Sequence, residues 1–226
     1  MPIEVCASNQ IANLAAQRIA EALERAVSST GGASLALAGG TTPRAAYEAL
    51  AKIPGVDWAR INVYFGDERA VPPTHPDSNF QMAQSALFER VALPPANIHR
   101  IHAEQVDQNA AARAYELILP EHISVMVLGI GEDGHTASLF PGTTALDERE
   151  KWAAAVVGAK SEARITLTYP ALESSRHAAF LLEGSGKTAI FQKIRAGDDS
   201  FPAARLHPVG QLRWFLDKAA AGEALG

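Results

Sequence analysis

Residues Val127–Gly142, VLGIGEDGHTASLFPG, continue the apolar run ISVMVLGI and place glycines at 129, 131 and 134. A buried strand that opens into a glycine-rich loop belongs to an α/β fold. Spaced as G-x-G-x-x-G, such a loop can cradle a dinucleotide pyrophosphate. Other features of the segment oppose that reading. Asp133 and His135 flank the third glycine, and Pro141 interrupts the helix that should follow. A dinucleotide fingerprint also sits in the first βαβ unit, with an acid ending a strand about 20 residues on. Here the loop comes after more than half of the chain, and the downstream segment LDEREKW is not strand-like. An acid and an imidazole held on a glycine turn suit proton transfer better.

Working outward, short apolar runs alternate with amphipathic helical patterns. IEVCA reads as a strand. The next segment reads as a helix capped by Ser8, with Ile11, Ala15, Ile19, Ala22 and Ala26 on one face. ASLALA is continuously apolar, as buried parallel strands are. It leads into GGTTPRAAYEAL, where Thr42 is the expected N-cap and Pro43 the first helical residue. INVYF, IHRIHA, AAAVV, RITLTY and HAAFLLEG are predicted strands. DSNFQMAQSALFERV, DQNAAARAYELIL, SGKTAIFQKIR and a final LRWFLDKAAAG are predicted helices. The expectation is an α/β fold: a single open, mostly parallel sheet, Rossmann-like, with helices on both faces, in one domain over 1–226. Ligands of such sheets sit beyond the carboxyl ends of the strands.

Composition narrows the partners. With a formal net charge of −5 and no cluster of Lys or Arg, the chain is not built to grip a nucleic-acid backbone. The lone cysteine, Cys6, supplies no disulfide framework and reads as a small buried hydrophobe. MPIEVCASNQ lacks the pattern of a signal peptide, and no apolar run approaches the roughly 20 residues of a membrane span. A cytoplasmic protein with no membrane partner is expected.

Three further segments follow predicted strands. AGGTTPR, with Gly39, Gly40, Thr41, Thr42 and Arg44, offers glycine amides and hydroxyls at a helix start. It reads equally as a phosphate site or as a capped turn. FGDERAVPPTHPDSNF places Asp67, Glu68 and Arg69 at a strand end, either as site residues or as a solvated charge run. EGSGKT is not a Walker loop, because Leu181 stands where the pattern needs glycine. Lys187 remains able to hold a single phosphate, and Arg164, opening RITLTY, is a lone cation. His99 and His102 lie three apart on a predicted strand and so point to opposite faces. No metal site is expected.

AGGTTP, FGDER, HPDSN, GIGEDGHTASLFPG, RITLTY and GSGK together resemble the 6-phosphogluconolactonase family, over nearly the whole chain. The resemblance implies a fold related to the sugar-phosphate isomerases. It also implies hydrolysis of 6-phospho-D-glucono-1,5-lactone in the oxidative pentose phosphate pathway, without metal or organic cofactor. His135 would be the general base, Arg69 would face the oxyanion, and Asp67 and Asp133 would orient Arg69, His135 or sugar hydroxyls. Gly39, Gly40, Thr41, Thr42, Arg164 and Lys187, with Arg44 as an optional member, would hold the phosphate. The small-molecule lactone is the one implied partner, and the sequence leaves the oligomeric state open, a monomer included. The related glucosamine-6-phosphate deaminases share the glycine loops but carry a Glu five residues after the His, where this chain has Phe140. Sugar-phosphate-sensing domains of transcription regulators have a similar fold joined to a DNA-binding module. This chain opens directly on its first strand, and its intact Asp-Gly-His loop favours catalysis.

Overall fold

The computed structural model describes residues 2–222. Its nine strands among them are β1 (Ile3–Cys6), β2 (Ala33–Leu37), β3 (Ile61–Phe65), β4 (Asp67–Arg69), β5 (Val125–Leu128), β6 (Ala153–Val156), β7 (Arg164–Leu167), β8 (His177–Leu182) and β9 (Gln211–Asp217). Six form a parallel sheet in the order β1-β9-β8-β5-β2-β3. Every residue of β2 and β5 is buried. Successive side chains on a strand point to opposite faces, so both faces are covered at the centre of the sheet. That accounts for the unbroken apolar runs.

The order of the strands places the site. From β2 the chain moves outward to β3 at one edge; from β5 it moves the other way, to β8 and β9. β2 and β5 are neighbours, so their following loops part at the topological switch point, where open α/β sheets bind ligands. The loop after β2 carries Gly39 and Gly40, and the loop after β5 is the opening stretch.

Not every predicted strand joins this sheet. β4, β6 and β7 form a separate antiparallel sheet in the order β4-β7-β6, containing the AAAVV and RITLTY segments. It is tied to the large sheet at Gly66, whose N–H donates to the Leu37 carbonyl and whose own carbonyl accepts from the Leu167 N–H. IHRIHA forms no strand; Ile98 makes only an isolated bridge to Val63. The predicted final helix is corrected more sharply. LRWFLD is β9, held between β1 and β8 with Trp214, Phe215 and Leu216 buried, and only Lys218–Ala221 are helical.

The helices are α1 (Ser8–Thr30), α2 (Thr41–Leu50), α3 (Asn79–Ala86), α4 (Gln108–Glu116), α5 (Tyr169–Glu173), α6 (Thr188–Arg195) and α7 (Lys218–Ala221). α1 buries Ile11, Ala15, Ile19 and Ala22, on the face that the periodicity selected. Two expected caps move. Ala7 stands at the cap of α1, and the Ser8 hydroxyl instead donates to the buried Asp217 carboxylate. Gly40, at φ 107°, precedes α2, so Thr42 is inside the helix and its hydroxyl donates to Glu183 at 3.2 Å.

Candidate active site

A cleft of about 200 Å³ opens at the switch point, lined among others by Gly39, Gly40, Asp67, Arg69, Gly131, His135 and Arg164. The loops after β2 and β5 meet there with the antiparallel sheet. In the β5 loop, the Gly131 N–H donates to the His135 carbonyl at 2.9 Å, drawing the turn closed. Asp133 Oδ1 accepts from the His135 backbone N–H at 3.2 Å and also bonds the ring Nδ1. The ring packs on Phe140, with centroids 4.4 Å apart. Gly131 is glycine for space: a Cβ there would lie 2.0 Å from His135 Cε1. Ala137, lining the same cleft, takes a left-handed φ of 48° that residues other than glycine seldom adopt.

The DER segment is not a solvated charge run, because Asp67 and Glu68 are buried. Glu68 accepts from the N–H groups of Arg69, Asn79 and Phe80 and from the Ser78 hydroxyl, which fixes the start of α3. Burial raises its carboxyl above the ordinary range, against those four hydrogen bonds. Asp67 accepts from Asn79 Nδ2 at 3.0 Å and from the Ser138 hydroxyl at 2.5 Å, and lies 3.9 Å from Arg164. The two aspartates thus divide their work: Asp133 meets His135, and Asp67 meets Arg164.

Arg69 and Arg164 stand directly opposite each other across β4 and β7. Like charges in that register repel. Asp67, the carboxylate within 4 Å of Arg164, is already engaged by Asn79 and Ser138. Arg69 gives an Nη1 hydrogen to the Asp77 carbonyl, yet the Nε of each arginine is buried without a partner. Burial, then the adjacent Arg69 charge, pulls the Arg164 guanidinium below its ordinary value, against Asp67, Glu162 and Glu68. Two adjacent arginines, each with an unpartnered Nε, thus line a cleft floored by glycine backbone. That combination selects an anion.

A family profile described as glucosamine-6-phosphate isomerases/6-phosphogluconolactonase matches residues 7–214. The chain belongs to that family. Among curated relatives, a 6-phosphogluconolactonase of Nostoc sp. is 38% identical over 217 residues, covering 89% of this chain and 88% of the relative. Among solved structures, a 6-phosphogluconolactonase from Thermotoga maritima superposes with a TM-score of 0.88 at 27% identity, over 96% of this chain and 99% of that one. A monomeric glucosamine-6-phosphate deaminase reaches a TM-score of 0.84 at 21% identity, over 98% and 99% of the two chains, which shows a shared fold alone.

Within this isomerase/lactonase fold the expected site residues do not all reach the cleft. Gly39, Gly40, Asp67, Arg69, His135 and Arg164 line it, and Asp133 supports His135 from behind. Thr41 and Thr42 open α2 beside it, with no side chain capping the helix amides. Lys187 donates to the carbonyl of Ile130, a wall residue, at 2.8 Å. Arg44 is directed elsewhere, paired with Glu48 at 3.2 Å on the exposed side of α2. The sequence reading missed Ser138 and Asn79 as partners of Asp67. Their signal was faint: one buried hydroxyl two residues beyond Thr136, and one amide at the foot of HPDSN. Neither histidine of HRIH enters the site; His99 stacks on Tyr64 at 4.6 Å and bonds Asn62. No cluster of three metal-ligating side chains occurs among the described residues, and no described helix is long and apolar enough to cross a membrane.

Proposed function

We propose that this chain hydrolyses 6-phospho-D-glucono-1,5-lactone to 6-phosphogluconate, with His135 as general base. The observation that carries the reading is the Asp133–His135 pair in one cleft with two half-buried arginines, Arg69 and Arg164, each with an unpartnered Nε. A base and an anion site so placed fit a substrate with a phosphate at one end and an electrophilic carbonyl at the other.

The roles follow from that layout. The phosphate lies over the amides of Gly39 and Gly40 and the open N-terminus of α2, with Arg164 as its cation and Thr41, Thr42 and Lys187 at its margin. Binding it there presents the lactone carbonyl to a water beside His135. Asp133 on Nδ1 leaves Nε2 as the nitrogen that accepts the water proton. Attack at C1 creates an oxyanion, for which the Arg69 guanidinium, lining the cleft, is the cationic donor. Collapse breaks the bond from C1 to the ring oxygen, which takes the proton back from the imidazolium. The products are an open-chain hydroxyl and a carboxylic acid that ionises. No step needs an oxidant or a second substrate.

The shared deaminase fold makes ammonia release the competing reading. Phe140 occupies the position of the deaminase glutamate and is buried against His135, so no carboxylate stands there. That favours the lactonase. The test follows acid release from freshly prepared 6-phosphogluconolactone. Turnover well above the spontaneous rate is expected, with unphosphorylated gluconolactone a poor substrate. A rate equal to the spontaneous one, or equal turnover of both lactones, would overturn the assignment.

A further inference from the structure

Lys160 stands on the turn between β6 and β7 and has no place in the roles above. Its Nζ lies 3.9 Å from Asp133 Oδ2 and 5.0 Å from the centroid of the Phe140 ring. Asp133 uses its other oxygen for His135, and the same Phe140 ring packs against the imidazole at 4.4 Å. Ammonium and imidazole therefore share two supports, one carboxylate and one aromatic ring. Lysine on an exposed turn keeps its freedom unless something holds it, and here two contacts from one loop do so.

We propose that Lys160 is a positioning residue for the proton-transfer pair: from the neighbouring hairpin it engages the second oxygen of Asp133 and offsets its charge, keeping His135 neutral and in place. A carboxylate bonded to one imidazole nitrogen favours the imidazolium, and a cation on its far oxygen opposes that bias. A general base must be neutral to accept a proton. The charged groups around His135 are Asp133 on its own loop, Lys160 from the hairpin, and Arg69 and Arg164 lining the cleft with Asp67 beside Arg164. Lys187 stands behind Ile130. Of these cations, Lys160 is the one paired with Asp133. The inference rests on His135 being the base, but its effect on the imidazole can be read without turnover.

The decisive measurement is the titration of the His135 ring by NMR in the wild type, Lys160→Met, Lys160→Arg and Lys160→Glu. Loss of the charge should raise the midpoint by about half a pH unit, the scale of one screened charge at this range. Lys160→Glu should raise it further, and Lys160→Arg should restore it. In kinetics, Lys160→Met should lower kcat several-fold at mildly acidic pH with KM little changed, and move the acid limb of kcat/KM to higher pH. An unchanged or lowered midpoint in folded Lys160→Met would overturn the proposal. So would a raised KM with unaltered kcat, which would make Lys160 a substrate ligand. If the titrations move as expected while the wild type fails to hydrolyse the lactone, the proposed reaction falls and the role of Lys160 toward the pair stands.

Discussion

Replacing Gly131 with alanine puts one methyl group where the imidazole of His135 lies. The added Cβ would stand 2.0 Å from Cε1, 2.1 Å from Nδ1 and 2.8 Å from Asp133 Oδ1. Gly131 does not have a positive φ, so alanine brings no left-handed strain and the penalty falls on the ring and its Asp133 partner. Reaching ordinary contact at 3.4 Å requires the ring to retreat by about 1.4 Å at Cε1, which separates Nδ1 from Asp133. Misplacing a reacting group by about 1 Å costs roughly 10²-fold in rate. That is about 2.7 kcal/mol in the barrier, at 1.36 kcal/mol per decade. Gly131→Ala should therefore lower kcat about a hundredfold while KM for the phosphorylated lactone changes little, because the phosphate groups stand on other loops. Initial rates of acid release give kcat and KM, and a thermal melt checks that the fold is kept. The double variant Gly131→Ala/His135→Ala should be no slower than His135→Ala alone, since both act through one group. A Gly131→Ala enzyme within twofold of wild-type kcat would refute this placement of the ring or its part in proton transfer.

Other expectations follow from the same cleft. His135→Ala should lower kcat by roughly 10²–10⁴-fold, the usual worth of a positioned acid–base group, with affinity for 6-phosphogluconate much less affected; near-normal kcat would exclude it as the base. Saturating 6-phosphogluconate should stabilise the wild type by about 2.7 kcal/mol at a hundredfold excess over Kd. Arg164→Ala should lose most of that thermal shift, and an undiminished shift would place the anion elsewhere. Burial raises the Asp133 carboxyl, but hydrogen bonds from the His135 ring and backbone, with the charges of His135 and Lys160, outweigh it and hold the group below its ordinary range. Its contribution to stability is therefore present above the unfolded carboxyl value and is lost only as pH falls through the lower folded value. With Asp133 still ionised at mildly acidic pH, the acid limb of kcat/KM should then have unit slope, from one group alone; a slope of two would contradict this. Incubation with glucosamine 6-phosphate should release no ammonia, and detectable release would reverse the choice between the two reactions.

Part of the cleft was legible in the sequence, because Gly39, Gly40, Gly131 and His135 lie on loops that follow strands. ALA-GG, F-GDER and VLGIG each show a continuous apolar run ending in glycine. His135 and Asp133 are two residues apart on one turn, so local geometry alone brings them together. The hydrophobic face of α1 was equally local, set by a period of 3.6 residues.

What the sequence by itself determined was thus the alternation of elements and the loops that line the cleft. Tertiary structure alone decided the rest. LRWFLD suits a helix or a strand equally by periodicity, and it became β9 because β1 and β8 offered backbone partners on either side. No run of residues states whether its strand will pair parallel or antiparallel, so the separate sheet of β4, β7 and β6 was not legible. Nor was its consequence, the register that sets Arg69 against Arg164. Asn79, Ser138 and Lys160 meet aspartates 12, 71 and 27 residues away. Contacts across such separations depend on how the sheets are packed, and a local pattern of residue types carries no record of that packing.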